Sequence, residues 1–300
     1  MNRARLQLWL KWLWVIAVTV AVLWYLQDRR ETVLAAVSDF SLPVIAASLL
    51  LLLLAKLGLS ENAFAAARAM RLPVTRLEVY RLYNFSQLGK YIPGSIWQYV
   101  SRGAGYRFAG ASYTGITNTL LLETLWVLGG AGLVGVVLAG PALGRQVHAA
   151  GLVSAEHLLW AVLVAIGGLI VIVMLVTRFR HRLRPLGKSL LPGPRIILLQ
   201  LVIWVLLGLS FAVLLPEAGA DLSLAYIIGL FAIAYAVGFV AIFAPAGLGV
   251  REGMLVLGLG IAIPVEQAVV IVLVARVIYL LSELVIAGLM LIAGRFGNYS

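Results

Sequence analysis

The chain has 300 residues, 63% hydrophobic and 12% charged, with a mean hydropathy of +1.04. That composition excludes a soluble domain, which needs far more polar surface, and makes lipid the solvent of most of the chain. The formal charge of +11 does not argue for nucleic acid, because basic loops in so apolar a chain orient spans and touch anionic headgroups. No cysteine is present, so disulfides, thiolate nucleophiles and Cys-ligated metals are excluded.

The N-terminus, "MNRARLQLWLKWLWVIAVTVAVLWYLQ", has basic residues followed by an apolar stretch too long for a signal-peptide core. It predicts a retained first span over 8–27. Further spans are predicted at 40–59, 112–139, 157–177, 196–215 and 266–293, each near the length a bilayer requires. Two other apolar segments, 79–108 and 224–263, are interrupted by Pro and Gly. All are read as helices, because backbone groups in hydrocarbon must be satisfied within their own segment.

Lys and Arg set the orientation. The stretch from Lys56 to Arg81 holds five cations and two acids, and 178–195 holds six cations and no acid, so both are predicted cytoplasmic. Stretches 28–39, 140–156 and 216–223 carry only Arg29, Arg30 and Arg145 and are predicted outside. With both interrupted segments entering and leaving on one side, 17 of the 23 Lys and Arg lie inside and three outside; Lys90, Arg251 and Arg276 lie at membrane depth. The expectation is a multi-pass protein of the bacterial cytoplasmic (inner) membrane with both termini cytoplasmic.

The same count gives an internal symmetry. Each half reads span, span, interrupted segment, span, and the breaks at Gly94 and Gly247 are offset by about 150 residues, as are the starts near 8 and 157. The predicted fold is an all-α polytopic membrane protein with about six full transmembrane helices. Two re-entrant helical hairpins complete an inverted-topology repeat. It forms one integral membrane domain over 1–300, with pseudo-repeats at 8–139 and 157–293.

The first interrupted segment contains "NFSQLGKYIPGSIWQYVSRGAGYR", 84–107. Asn84 to Tyr91 forms a polar arm, and Pro93, Gly94 and Ser95 form the tip. Ser95 can cap the returning helix, whose N-terminus attracts anions. Lys90 sits a turn from the tip, with Arg102 and Arg107 following towards the cytoplasmic mouth. The competing reading is an interfacial amphipathic loop with snorkelling cations. The second segment, "AIFAPAGLGVREG", 241–253, places Arg251 and Glu252 after a Pro245/Gly247/Gly249 break. A central membrane charge costs about 2.5–3.5 kcal/mol, so these residues need partners or a function. Adjacent helical residues do not face each other, which leaves Glu123, Arg276 and Glu283 as partners from other spans. A purely structural ion pair is the competing reading.

"LGKYIPGSIWQYVSR" and "PAGLGVREG" resemble the signature segments of the lysylphosphatidylglycerol synthase transmembrane (flippase-like) domain family, over about residues 10 to 293. The resemblance implies re-entrant architecture and movement of lipid between leaflets. The family's best-understood members carry a soluble aminoacyl-transfer domain, which these 300 residues do not contain. The resemblance therefore implies translocation without synthesis, and lipids such as isoprenoid or glycan carriers come into view beside phospholipids.

Other chemistry is missing from the sequence. His148, His157 and His181 lack metal-ligand spacing, and no HExxH, GxSxG or P-loop motif occurs. The Gly-rich "GGAGLVG" at 129–135 lies inside a span and predicts close helix packing. The expected function is a flippase for an anionic phospholipid or lipid-linked carrier, with no cofactor, no metal, no nucleic acid and oligomerisation left open. Lys90, Arg102 and Arg251 are expected on the lipid phosphate, and Asn84, Gln87 and Ser95 are expected to orient it. Glu123, Glu252, Arg276 and Glu283 are expected to balance charge or carry a coupling proton. The rival functions are an intramembrane lipid-headgroup transferase and a non-transporting subunit of an envelope assembly.

Overall fold

The computed structural model describes residues 40–91, 96–149, 191–216, 222–241 and 244–296, with isolated positions at 27 and 31. The expected span 157–177, all but one residue of 8–27, and the tip Pro93-Gly94-Ser95 lie outside these residues. The described elements, in order, are α1 (Leu42–Ala69), α2 (Arg76–Leu88), a 3-10 turn (Gly89–Tyr91), α3 (Trp97–Phe108) and α4 (Tyr113–Ala149). They continue with α5 (Pro194–Ala212), α6 (Leu224–Val240), a second 3-10 turn (Pro245–Gly247), α7 (Val250–Leu259) and α8 (Val265–Phe296). All described secondary structure is helical. Among the described residues, four helices are long and apolar enough to cross a membrane: Leu42–Ala69, Tyr113–Ala142, Pro194–Ala212 and Val265–Ala293. They fall on four of the six expected spans.

Local sequence accounts for the ends of these helices. Pro43 sits in the first turn of α1 and Pro194 in that of α5, where a missing N–H costs nothing. Thr75 and Glu78 form a capping box at the start of α2, with Thr75 N donating to Glu78 Oε2 at 2.7 Å. Ser223 caps α6 by accepting from Tyr226 N at 3.2 Å.

Both interrupted segments are antiparallel pairs of short helices. In the first, Gly89 faces the backbone of Trp97 and Gln98, where an added Cβ would meet both at 3.0 Å, and Leu82 lies against Gly105. In the second, Tyr226 Oη donates to Gly258 O at 2.9 Å, and an added Cβ on Gly238 would meet Arg251 Cβ at 2.9 Å. The described order is therefore long helix, short-armed hairpin, long helix, twice over.

Around the hairpins, α1 and α5 run antiparallel. Ser48 Oγ donates to Ser210 O at 2.7 Å near one end, and Glu61 pairs with Arg195 at 3.5 Å near the other. Helix α4 meets α6 through small residues: Gly135 lies against Ile233, and Gly229 lies against Ala139. Trp204, Phe211, Leu230 and Ile271 fill the core, while Leu50, Leu54, Leu198, Leu284 and Leu291 point outward. Lipid solvates such an apolar outer face, so packing inside relies on close contact and on polar pairs.

Candidate functional site

The two 3-10 turns, one from each hairpin, lie against each other. Left-handed backbone runs through the second turn to the start of α7, with φ of +53° at Ala246, +69° at Gly247 and +83° at Gly249, and the glycines take it without strain. Gly247 also sits where a Cβ would come within 3.0 Å of Gly238 O, so the turn is folded tightly back onto α6. Glu252 holds the geometry. Its Oε2 accepts from Gly249 N at 2.8 Å, closing the start of α7, and its Oε1 lies 3.4 Å from Arg276 Nη1. Arg276 Nη2 reaches Ala246 O at 3.5 Å, tying the turn to α8.

A cavity of about 270 Å³ opens where the hairpins meet. Gln87, Lys90 and Gln98 line it from the first hairpin, Arg251 from the second, and Arg276 and Tyr279 from α8. Ile96 and Phe239 line it too, and both are exposed. The cavity therefore combines polar and cationic groups with exposed apolar edges.

Arg251 is 8% exposed, yet among the described residues it has neither a carboxylate nor a hydrogen-bond partner. Its guanidinium carbon lies 4.6 Å from the ring centroid of Phe231, 4.8 Å from that of Tyr279 and 5.8 Å from that of Tyr235. Aromatic faces attract a cation through their quadrupole without cancelling its charge. The sequence predicts acidic partners for Arg251 in Glu123 or Glu283; the structure gives it rings instead, because those carboxylates are engaged elsewhere.

Glu283 is one of the engaged carboxylates. Its Oε1 pairs with Lys56 Nζ at 3.1 Å and also with Lys90 Nζ. Both ammonium groups lie over Tyr279, at 3.9 Å and 4.9 Å from its centroid. The loop reading of Lys56 is corrected here. Helix α1 runs on to Ala69, and Lys56 is 3% exposed in its middle, stabilised in the interior by Glu283 and Tyr279.

Glu123 is the other. Arg102 Nη1 lies 2.6 Å from its Oε1, and both residues are buried. The guanidinium of Arg102 is covered by Tyr83 at 4.9 Å and Tyr99 at 5.7 Å. Arg102 is thus not at a solvated mouth; it joins α3 to α4 beside a chamber of about 40 Å³. Asn84 likewise serves the fold, donating to Ser60 Oγ at 2.9 Å and Tyr80 O at 2.8 Å, which fixes α2 on α1. Of the residues expected to touch lipid, Gln87, Lys90 and Arg251 share the cavity, and Ser95 lies outside the described residues.

Several site residues went unrecognised in the sequence. Tyr279 follows Arg276 by three positions and precedes Glu283 by four, so helical spacing already put it on the charged face of α8. Gln98 lies in the quoted first motif. Tyr235 had no signal beyond being a tyrosine in an apolar arm. Asn62 and Gln200, joined at 2.8 Å between α1 and α5, are mid-span amides that hydropathy averaging hides.

No protein-family model matches this chain, and no curated protein is significantly similar to it.

Proposed function

We propose that this chain is a carrier or flippase of the bacterial cytoplasmic membrane that moves an anionic lipid between leaflets. The observation that supports the reading most is Arg251: a buried cation with no carboxylate partner among the described residues, on a cavity shared by two hairpins. Buried charge without a counterion is expensive and rarely idle in a membrane. An anionic headgroup would supply the missing charge, with Lys90, Gln87 and Gln98 beside it. The apolar edges at Ile96 and Phe239 suit a tail that stays in lipid.

Helix lengths support re-entrance. At 1.5 Å per residue, the ten residues of α7 reach about 15 Å and the twelve of α3 about 18 Å. The other arms are longer, 13 residues in α2 and 17 in α6, or about 20 Å and about 25 Å, but all four fall short of a hydrocarbon core about 30 Å thick, so on this reading each hairpin turns back inside the membrane. The antiparallel setting of α1 against α5 is what an inverted repeat of the two halves requires. The contacts at the hairpins follow the same logic with the charges exchanged: Arg102 on α3 pairs with Glu123 on α4, and Glu252 on α7 pairs with Arg276 on α8. Cytoplasmic termini complete this topology, and the flippase-like family named above remains the proposed kinship.

The test is translocation of a fluorescent anionic lipid in vesicles reconstituted with the purified chain, followed by quenching the outer leaflet. Wild type should transfer the label faster than empty vesicles, and Arg251→Gln should lose that excess while remaining inserted. Equal rates for wild type and empty vesicles would remove the function.

A further inference from the structure

Among the described residues, four cations surround the cavity and its rim: Lys56, Lys90, Arg251 and Arg276. Two carboxylates, Glu252 and Glu283, answer them. Arg276 and Glu252 neutralise each other at 3.4 Å. Lys56, 3% exposed, can neutralise Glu283 alone, at 3.1 Å. That leaves Lys90 and Arg251 as two cations in excess, both lining one cavity and both within 5 Å of the Tyr279 centroid. Lys90 can leave Glu283 for a ligand without orphaning a buried carboxylate, because Lys56 stays. The next ion pair, Arg102 with Glu123, is internally balanced and changes nothing in this sum.

We infer that the site selects a phosphomonoester, a headgroup that ends in a dianionic phosphate, over a phosphodiester of single charge. The inference rests on the anionic-lipid reading and narrows it. A phosphomonoester brings two negative charges and three terminal acceptor oxygens. Two charges match the excess of two cations, and three oxygens match the donors at hand: the Arg251 fork, the Lys90 ammonium, and the amides of Gln87 and Gln98. A phosphodiester has two free oxygens and one charge, so it would leave one of these two cations uncompensated. The same phosphate chemistry is presented by a lipid or by free phosphate. The apolar edge at Ile96 and Phe239 distinguishes them, because only a lipid has a tail to place there.

The experiment uses the full chain in detergent at pH 8 and follows its thermal stabilisation, which reports binding by mass action. Four probes are titrated: short-chain phosphatidic acid, short-chain phosphatidylglycerol, short-chain phosphatidylcholine and inorganic phosphate. Phosphatidic acid should reach half-effect at a concentration about tenfold or more below phosphatidylglycerol, the scale of one added charge-assisted contact. Lys90→Gln should shrink that ratio to about threefold or less; should Lys90→Gln not fold, the wild-type ratio decides alone. Phosphatidylglycerol binding as well as phosphatidic acid would overturn the phosphomonoester inference and leave an anionic-lipid carrier standing. Inorganic phosphate matching phosphatidic acid would keep the headgroup chemistry but overturn the lipid. No probe exceeding phosphatidylcholine would overturn both.

Discussion

Lys56 and Lys90, from the middle of α1 and from the turn after α2, converge on one oxygen, Glu283 Oε1. Lys56 is buried while Lys90 also lines the cavity, so on the proposed function Lys56 is the permanent partner of this carboxylate and Lys90 the releasable one. Lys90→Gln should therefore leave stability within about 1 kcal/mol of wild type, because the pair that remains is neutral. Glu283→Gln strands two interior ammonium groups and should cost about 3–5 kcal/mol. Thermal unfolding in detergent measures both, and equal losses would mean that Lys90 is as structural as Lys56.

Arg102 and Glu123 yield a contrasting prediction. Arg102→Met should destabilise by about 3–5 kcal/mol, because Glu123 is left charged and buried. Adding Glu123→Leu should restore most of that loss, since replacing a whole buried pair is often neutral. Ligand affinity of the double variant should stay within about threefold of wild type, because neither side chain lines the larger cavity. A tenfold loss with stability restored would return Arg102 to the proposed lipid site.

The seam between α4 and α6 should tolerate no added carbon. A Cβ on Gly229 would lie 2.6 Å from Ala139 N, which is backbone and cannot rotate away. Gly229→Ala should cost about 1–3 kcal/mol as overpacking. Adding Ala139→Gly should recover only part of it, since the offending atom is the amide nitrogen. Full recovery would show that the clash is with the Ala139 methyl group.

The meeting of the two turns is open to crosslinking in a chain that has no cysteine. Single cysteines at positions 89–91 paired with single cysteines at 245–247 make nine double variants. At least one should oxidise to an intramolecular disulfide, since the turns touch and bridging requires Cα atoms within about 7 Å. Nine failures in folded protein would separate the hairpins.

Much of the architecture is legible in hydropathy and breaks. Four of the six expected spans fall on helices long and apolar enough to cross a membrane, and the described parts of both interrupted segments are pairs of shorter helices. The charge map was harder to read. Lys56 looks like the first cation of a loop because charge usually marks a helix end, yet its partner Glu283 lies 227 residues away in sequence. Arg251 looks like one half of an adjacent pair with Glu252, but consecutive helical residues diverge: Glu252 turns to Gly249 and Arg276, while Arg251 turns to rings. Partner choice depends on tertiary proximity, which a linear pattern carries only along one helix face. That is why Arg276, Tyr279 and Glu283 could be grouped from spacing and Tyr235 could not.

On the proposed function, the aromatic cage around Arg251 has a kinetic consequence. A carrier site must empty as readily as it fills, so the most favourable binding is not the most useful. A carboxylate beside Arg251 would compete with every incoming anion, and a plain aliphatic wall would leave the cation so poorly solvated that a bound anion would rarely depart. Phe231, Tyr235 and Tyr279 lie between these extremes, since a cation over an aromatic face gains about 0.5–2 kcal/mol. On the proposed function, the rings govern dwell time: they keep the empty site tolerable and so keep turnover from being limited by release.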